Sequence, residues 1–305
     1  MGSASVGPSV LARASGAAPR VVSLVPGATE MLLALDTAAE LVGRSHECDH
    51  PPKATRAPVL TAAPTLGGSS AEIDAEFAAG EGRPTIDSRL LEQLRPDIVI
   101  TQDLCVACAP GAEEVQAMCG ASTTVLSCSP VRLDDVIETA VAIGSAIEAA
   151  GAGEALAARL RARIDACRES AGRRPAARVV CLEWLDPLYR ARHWIPDQIE
   201  ASGGRDLLGE AGTPARPMHL REVLDANAEL VVLMPCGRGA QAAWDRARVE
   251  GVLDSLAGGI VPPKVVAADA NAHFSRPGPR LVDGVEWLSA TMEGLRAESG
   301  RPALR

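Results

Sequence analysis

Two short sequence echoes, recurring in the same order in the two halves of the chain, constrain its fold most. Arg20-Val-Val-Ser-Leu24 returns as Arg178-Val-Val-Cys-Leu182, and Pro96-Asp97-Ile98-Val99-Ile100 returns as Ala228-Glu229-Leu230-Val231-Val232. Each is a continuous apolar run, the pattern of a strand covered on both faces in a parallel sheet rather than of a half-exposed one. Helical segments accompany them at 29–35 and at 86–94, the second stopped by Arg95-Pro96. Leu41–Gly43, Thr123–Leu126 and Val265–Ala268 add further strands. Between the halves, positions 133, 136, 137, 140, 141, 144 and 147 keep helical spacing, and Leu156, Leu160 and Ile164 continue it.

The fold expected is therefore α/β, with two similar α/β lobes of mainly parallel sheet joined by a long helix and a ligand cleft between the lobes. The divisions expected are a disordered tail over 1–19, an N-terminal lobe over 20–130, a linking helix over 131–170 and a C-terminal lobe over 177–295. The stretch 54–82, rich in Ala, Pro, Gly and Ser, reads mostly as loop.

Composition excludes several classes of function. A net charge of −9, with no Lys/Arg-rich run interleaved with aromatics, argues against nucleic acid as a partner. No apolar run approaches the roughly 20 residues of a bilayer span. The eight cysteines have no compact spacing framework, and residues 1–20 lack the charged start and apolar stretch of a secretory signal. The location expected from these two observations is cytoplasmic, or periplasmic if the start has been trimmed. No Gly-x-Ser-x-Gly elbow, Walker A loop or Gly-x-Gly-x-x-Gly turn is present, so no catalytic template is recognised.

In open parallel sheets, ligands bind beyond the carboxyl ends of the strands, and the unusual residues of this chain fall there. Pro26 and Thr29 follow the first strand, and His46, Glu47 and Cys48 follow the second. Asp103, Cys105 and Cys108 come after the 97–101 strand, and Glu183 and Trp184 after the 178–182 strand. His193 and Trp194 open a helix, and Asp269, Asn271, Phe274 and Arg276 follow the last strand. These residues are the candidate ligand contacts, with Cys48, Cys105 and Cys108 set apart. Those three thiols and His46 form an alternative set for Zn, Fe or Cu, because thiolate and imidazole donors suit such metals.

The chain resembles the cobalamin-binding, periplasmic-type solute-binding proteins of ABC importers. The resemblance is carried by residues 20–30 (RVVSLVPGATE), 41–51 (LVGRSHECDHP), 90–101 (LLEQLRPDIVIT), 193–204 (HWIPDQIEASGG) and 274–283 (FSRPGPRLVD), and it spans about 20–295. It implies a rigid, non-catalytic protein with little hinge motion, holding a corrinoid, cobalamin above all, between its lobes. Trp184, Trp194 and Phe274 would then pack on the macrocycle, and His46 or a nearby thiol would approach cobalt. The partner is a small-molecule metal chelate. A haem or siderophore is a further alternative, as is a cytoplasmic metal protein built on His46, Cys48, Cys105 and Cys108. An ABC permease is implied as partner, but the missing export signal and the cysteine content weigh against it and favour a cytoplasmic branch.

Overall fold

A computed structural model describes residues 17–62, 68–81, 83–105, 109–172, 174–259 and 261–298. The first half runs β1 (Arg20–Ser23), α1 (Pro26–Ala34), β2 (Glu40–Arg44), β3 (Thr61–Ala62), α2 (Ser70–Ala78), β4 (Thr85–Ile86), α3 (Ser88–Leu94), β5 (Ile98–Thr101), α4 (Ala112–Met118) and β6 (Thr124–Ser127). Its main sheet has the order β2-β1-β5-β6, all parallel, with Val21 beside Ile98 and Ile98 beside Thr124. Proline at the first helical position starts α1 directly after β1, where its missing N–H leaves no bond unmade.

Two helices follow, α5 (Leu133–Ala146) and α6 (Ala150–Ala171). The helical span expected as one long helix is therefore broken. Glu148 turns the chain with φ +60, and the helices fold back on each other where Gly144 meets Gly153. A Cβ on Gly153 would lie 2.6 Å from the Ala140 carbonyl oxygen, so the crossing depends on the bare backbone.

The second half runs β7 (Ala177–Leu185), β8 (Leu188–Arg190), α7 (Ile195–Ala201), β9 (Gly204–Asp206), β10 (Pro217–Met218), α8 (Leu220–Asp225), β11 (Leu230–Leu233), α9 (Ala240–Val249), α10 (Val252–Ala257), β12 (Lys264–Ala267), α11 (Ala270–His273) and α12 (Leu281–Glu298). Its sheet has the order β10-β8-β7-β11-β12. β7, β11 and β12 are parallel, β8 pairs antiparallel with both β7 and β10, and β9 pairs with the start of β7.

The echoes reappear as matched hydrogen bonds. Arg20 N donates to Asp97 (2.7 Å) and its Nε to the Leu94 carbonyl (3.3 Å); Arg178 N donates to Glu229 (3.0 Å) and its Nε to the Asn227 carbonyl (2.9 Å). Arg95 and Asn227, which end the helices before β5 and β11, both take left-handed φ values, +44 and +50. Each sheet has separate apolar packing on its outer face. The inner faces of both share a single core, through residues of α1, α5, α6, α7 and α12. Burial on both faces is why the strands read as unbroken apolar runs. No helix among the described residues is long and apolar enough to cross a membrane.

Candidate functional site

A cavity of about 660 Å³ lies between the two sheets and takes its walls from both halves of the chain. That volume is mid-range for small-molecule sites, which run to roughly 300–1,000 Å³. From the first half, Pro26, His46, Glu47 and Cys105 reach it; from the second, Glu183, Trp184, His193, Trp194, Asn271 and Arg276.

The two halves are tied together beside the cavity. Arg276, buried, pairs with Asp49 and with Glu47 (3.1 Å) of the loop after β2. Arg280 meets Glu30 of α1 through two bonds, 2.8 and 2.5 Å. The Gly27 backbone is pressed so closely on Pro277 and Gly278 that a Cβ there would overlap the Pro277 carbonyl. On the far side, α2 reaches over to the second half. Ser70 N and Oγ donate to the Glu250 carboxylate (2.8 and 3.0 Å), and Trp184 Nε1 donates to the Ser70 carbonyl (3.0 Å). That last bond anchors the Trp184 indole in the cavity wall. Ile73, Asp74 and Phe77 of α2 complete this side.

Glu183 and His193, both in the wall, are displaced from their ordinary ranges. Burial pushes Glu183 up to about 7, against the charge and hydrogen bonds of Arg192, whose Nε lies 2.8 Å from the carboxylate. Burial, and then the charge of Arg192, push His193 down to about 4, so its imidazole is neutral at physiological pH. His193 also holds φ +48, a conformation costly for a residue with a side chain. It is kept there by its N–H to the Thr213 carbonyl (3.0 Å) and by Gly212 N–H to its own carbonyl (2.9 Å). The ring stacks on Trp194 at 5.7 Å between centroids, and Nδ1 is buried with no hydrogen-bond partner.

Several expected contacts lie elsewhere. Thr29 is buried below the cavity, its Oγ1 at 2.8 Å from Ser23 Oγ and 2.9 Å from Cys48 Sγ. Asp103 turns back to accept from Ala112 N (2.8 Å) and from the Ser127 hydroxyl, binding its own loop to α4. Asp269 caps α11 by accepting from Ala272 N (2.9 Å). Phe274 is in the core, edge-on to Trp287 at 6.0 Å, and cannot pack on a ligand. Trp194 forms wall but is almost wholly buried, its Nε1 donating to the Phe274 carbonyl (2.8 Å).

Among the described residues the alternative metal set is not assembled: no group of three or more His, Cys, Asp or Glu side chains is placed to hold a metal ion. Cys48 is buried and hydrogen-bonded to Ser45 (3.1 Å), and burial raises its pKa, keeping it a thiol rather than a ligating thiolate. His46 Nδ1 lies 2.7 Å from Thr61 Oγ1, and Glu47 is engaged by Arg276. Cys108 lies outside the described residues. Sequence reasoning also missed wall residues. Arg192, Arg238 and Tyr189 carry no motif, and α2 fell in a stretch read as loop, although Ser69-x-x-Glu72 is a capping box.

A family model described as periplasmic binding protein matches residues 21–255. The chain belongs to the periplasmic binding protein family. No curated protein matches it by sequence. Among solved structures, it is similar to the periplasmic vitamin B12 binding protein BtuF of Vibrio cholerae, with 20% identity, TM-score 0.64 and coverage of 92% of this chain and 98% of that one. It is similar also to the periplasmic heme-binding protein RhuT from Roseiflexus sp. RS-1 (22%, TM-score 0.68, 92% and 99%) and to a periplasmic heme binding protein from Pseudomonas aeruginosa (20%, TM-score 0.68, 90% and 92%). At these identities the structures speak for the fold.

Membership makes this periplasmic binding protein a solute-binding component of the ABC-importer type rather than an enzyme. It also corrects the cytoplasmic location, since the family and these neighbours are periplasmic. The cysteine content misled because Cys48, Cys128, Cys167 and Cys181 are buried, and burial raises the pKa of each. Inert thiols of that kind do not require a reducing compartment.

Proposed function

We propose that this protein is an extracytoplasmic receptor that holds a corrinoid, cobalamin above all, between its two lobes and delivers it to an ABC-importer permease. The observation that carries the reading is the 660 Å³ interlobe cavity with the Trp184 indole anchored in its wall. Such a wall suits the face of a macrocycle, and polar groups around it suit an amide fringe. The similarity to a vitamin B12 binding protein supports the choice of ligand. The division into lobes over 20–130 and 177–295, linked through 131–170, belongs to the same proposal. Pro26, His46, Glu47, Glu183, Trp184, His193, Asn271 and Arg276 are the contacts proposed from the cavity wall.

The test is direct. Purified protein mixed with cyanocobalamin and desalted should remain red at near one-to-one stoichiometry, with calorimetric heat that saturates. A flat calorimetric trace with cobalamin and its precursors overturns the proposal.

His193 favours a second reading, a haem. Its imidazole is neutral and the residue lines the cavity, as a protein ligand to haem iron would have to. Haem added to the protein should then give the Soret spectrum of imidazole-ligated iron, which His193→Ala changes; identical spectra from the two proteins reject haem ligation by His193.

A further inference from the structure

Three arginines line the cavity, and they are not equivalent. Arg192 holds Glu183 at 2.8 Å, and Arg276 holds Glu47 at 3.1 Å together with Asp49. Among the described residues, the Arg238 guanidinium has no carboxylate partner, and its Nε is buried without any hydrogen-bond partner. The other acids of the wall are engaged: Glu47 and Glu183 by those arginines, and Asp74 by the Tyr189 hydroxyl. Glu250, the one acid that partly offsets the charge of Arg238, is held by Ser70 and Arg246. Burial, and then the charge of Arg246, push the Arg238 pKa down, as expected of a cation short of counter-charge.

The position of Arg238 is fixed before any ligand arrives. Its N–H donates to the Pro235 carbonyl (3.2 Å), and its own carbonyl accepts from Ala270 N (3.0 Å). Gly237, just before it, takes φ +80, a turn that glycine enters without the penalty a side chain would bring. A guanidinium offers a planar fork of donors matched to two oxygens of a carboxylate or phosphate group. Among the described residues the Nη groups of that fork have no partner either and, unlike Nε, are not closed off, so an anionic oxygen entering the cavity can accept from them.

We infer, on the strength of the chelate-binding reading above, that Arg238 is an anion subsite of the cavity, recognising a peripheral carboxylate or phosphate-ester group of the bound chelate. The ligand class is thereby narrowed to chelates with an acidic edge.

Three corrinoids separate the sources of charge: cobinamide, with an amide fringe and no anionic side group; cobalamin, with one phosphodiester; and cobyrinic acid, with free carboxylates. Titrated into the full chain, cobalamin or cobyrinic acid should bind on the order of tenfold tighter than cobinamide, and whichever does so names the anionic group. In Arg238→Gln that ratio should fall towards one. Equal affinity of all three for the wild type, or a ratio unchanged in the variant, overturns the assignment. If no corrinoid binds, the corrinoid reading has failed, and the subsite is decided on ligand-free protein. Replacing chloride by sulfate at constant ionic strength should raise the melting temperature of the wild type more than that of Arg238→Gln; equal gains overturn the subsite.

Discussion

Glu183 and His193 share one wall of the cavity, yet burial moves their proton affinities in opposite senses. The folded protein holds a proton on Glu183 up to about pH 7, whereas the unfolded chain releases it near its ordinary value of 4.5. Stability from that proton is complete below the unfolded value and is lost as pH rises towards 7. His193 behaves conversely. The unfolded chain takes up a proton as pH falls through 6.5, the folded protein resists until about 4, and stability is lost on acidification. The Glu183 effect is isolated by Glu183→Gln, which keeps an acceptor for Arg192 N and cannot ionise. Denaturant titrations from about pH 4.5 to 7.5 should show the wild type losing about 2–3 kcal/mol relative to the variant as pH rises. Parallel curves would mean that Glu183 is ionised throughout.

At the scale of elements, the strands were legible because burial on both faces leaves nothing but apolar residues in them, as in Val21-Val22 and Leu230–Leu233. Helix α2 was not legible, because Ile73 is its only large buried apolar residue and no period can be read from one position. Arg192 and Arg238 could not be found from sequence, since an isolated arginine in a loop reads as solvated until the fold encloses it. Phe274 was misplaced for a related reason. Its polar neighbours belong to the cavity side of the loop, while its ring turns into the core against Trp287. The break between α5 and α6 is another element whose logic lies in contacts. Gly153 must approach Ala140 and Val141 of α5, whereas Gly151, in the same helix, has nothing within 4 Å of its would-be Cβ. Helix propensity favours alanine at both sites. Gly151→Ala should therefore raise stability by up to about 1 kcal/mol, while Gly153→Ala should lower it by about 1–3 kcal/mol through overpacking. Chemical denaturation of the pair checks this, and a gain at both sites would show that the crossing has room to spare.

For the molecule as a whole, the question is whether the two lobes unfold separately. A single core cluster runs from Val21 and Ile98 through α5 and α6 to Val179 and Leu230, so neither sheet can lose its inner face without exposing the helices that cover the other. Arg280–Glu30 and Arg276–Asp49 tie the same halves beside the cavity, and Gly27 locks backbone to backbone against Pro277. One cooperative transition is expected, in spite of the length of the chain and its two sheets. The sequence supplies its own reporters, because all four tryptophans, Trp184, Trp194, Trp244 and Trp287, belong to the second half. Tryptophan fluorescence thus follows that half, while far-ultraviolet circular dichroism follows the helices of both. The two denaturation curves should coincide. Glu30→Ala, which leaves the Arg280 guanidinium without its largely buried partner, should shift both curves together by on the order of 3 kcal/mol. If the curves separate in the wild type, or if Glu30→Ala moves only the circular dichroism, then the shared core does not couple the lobes and each folds as its own unit.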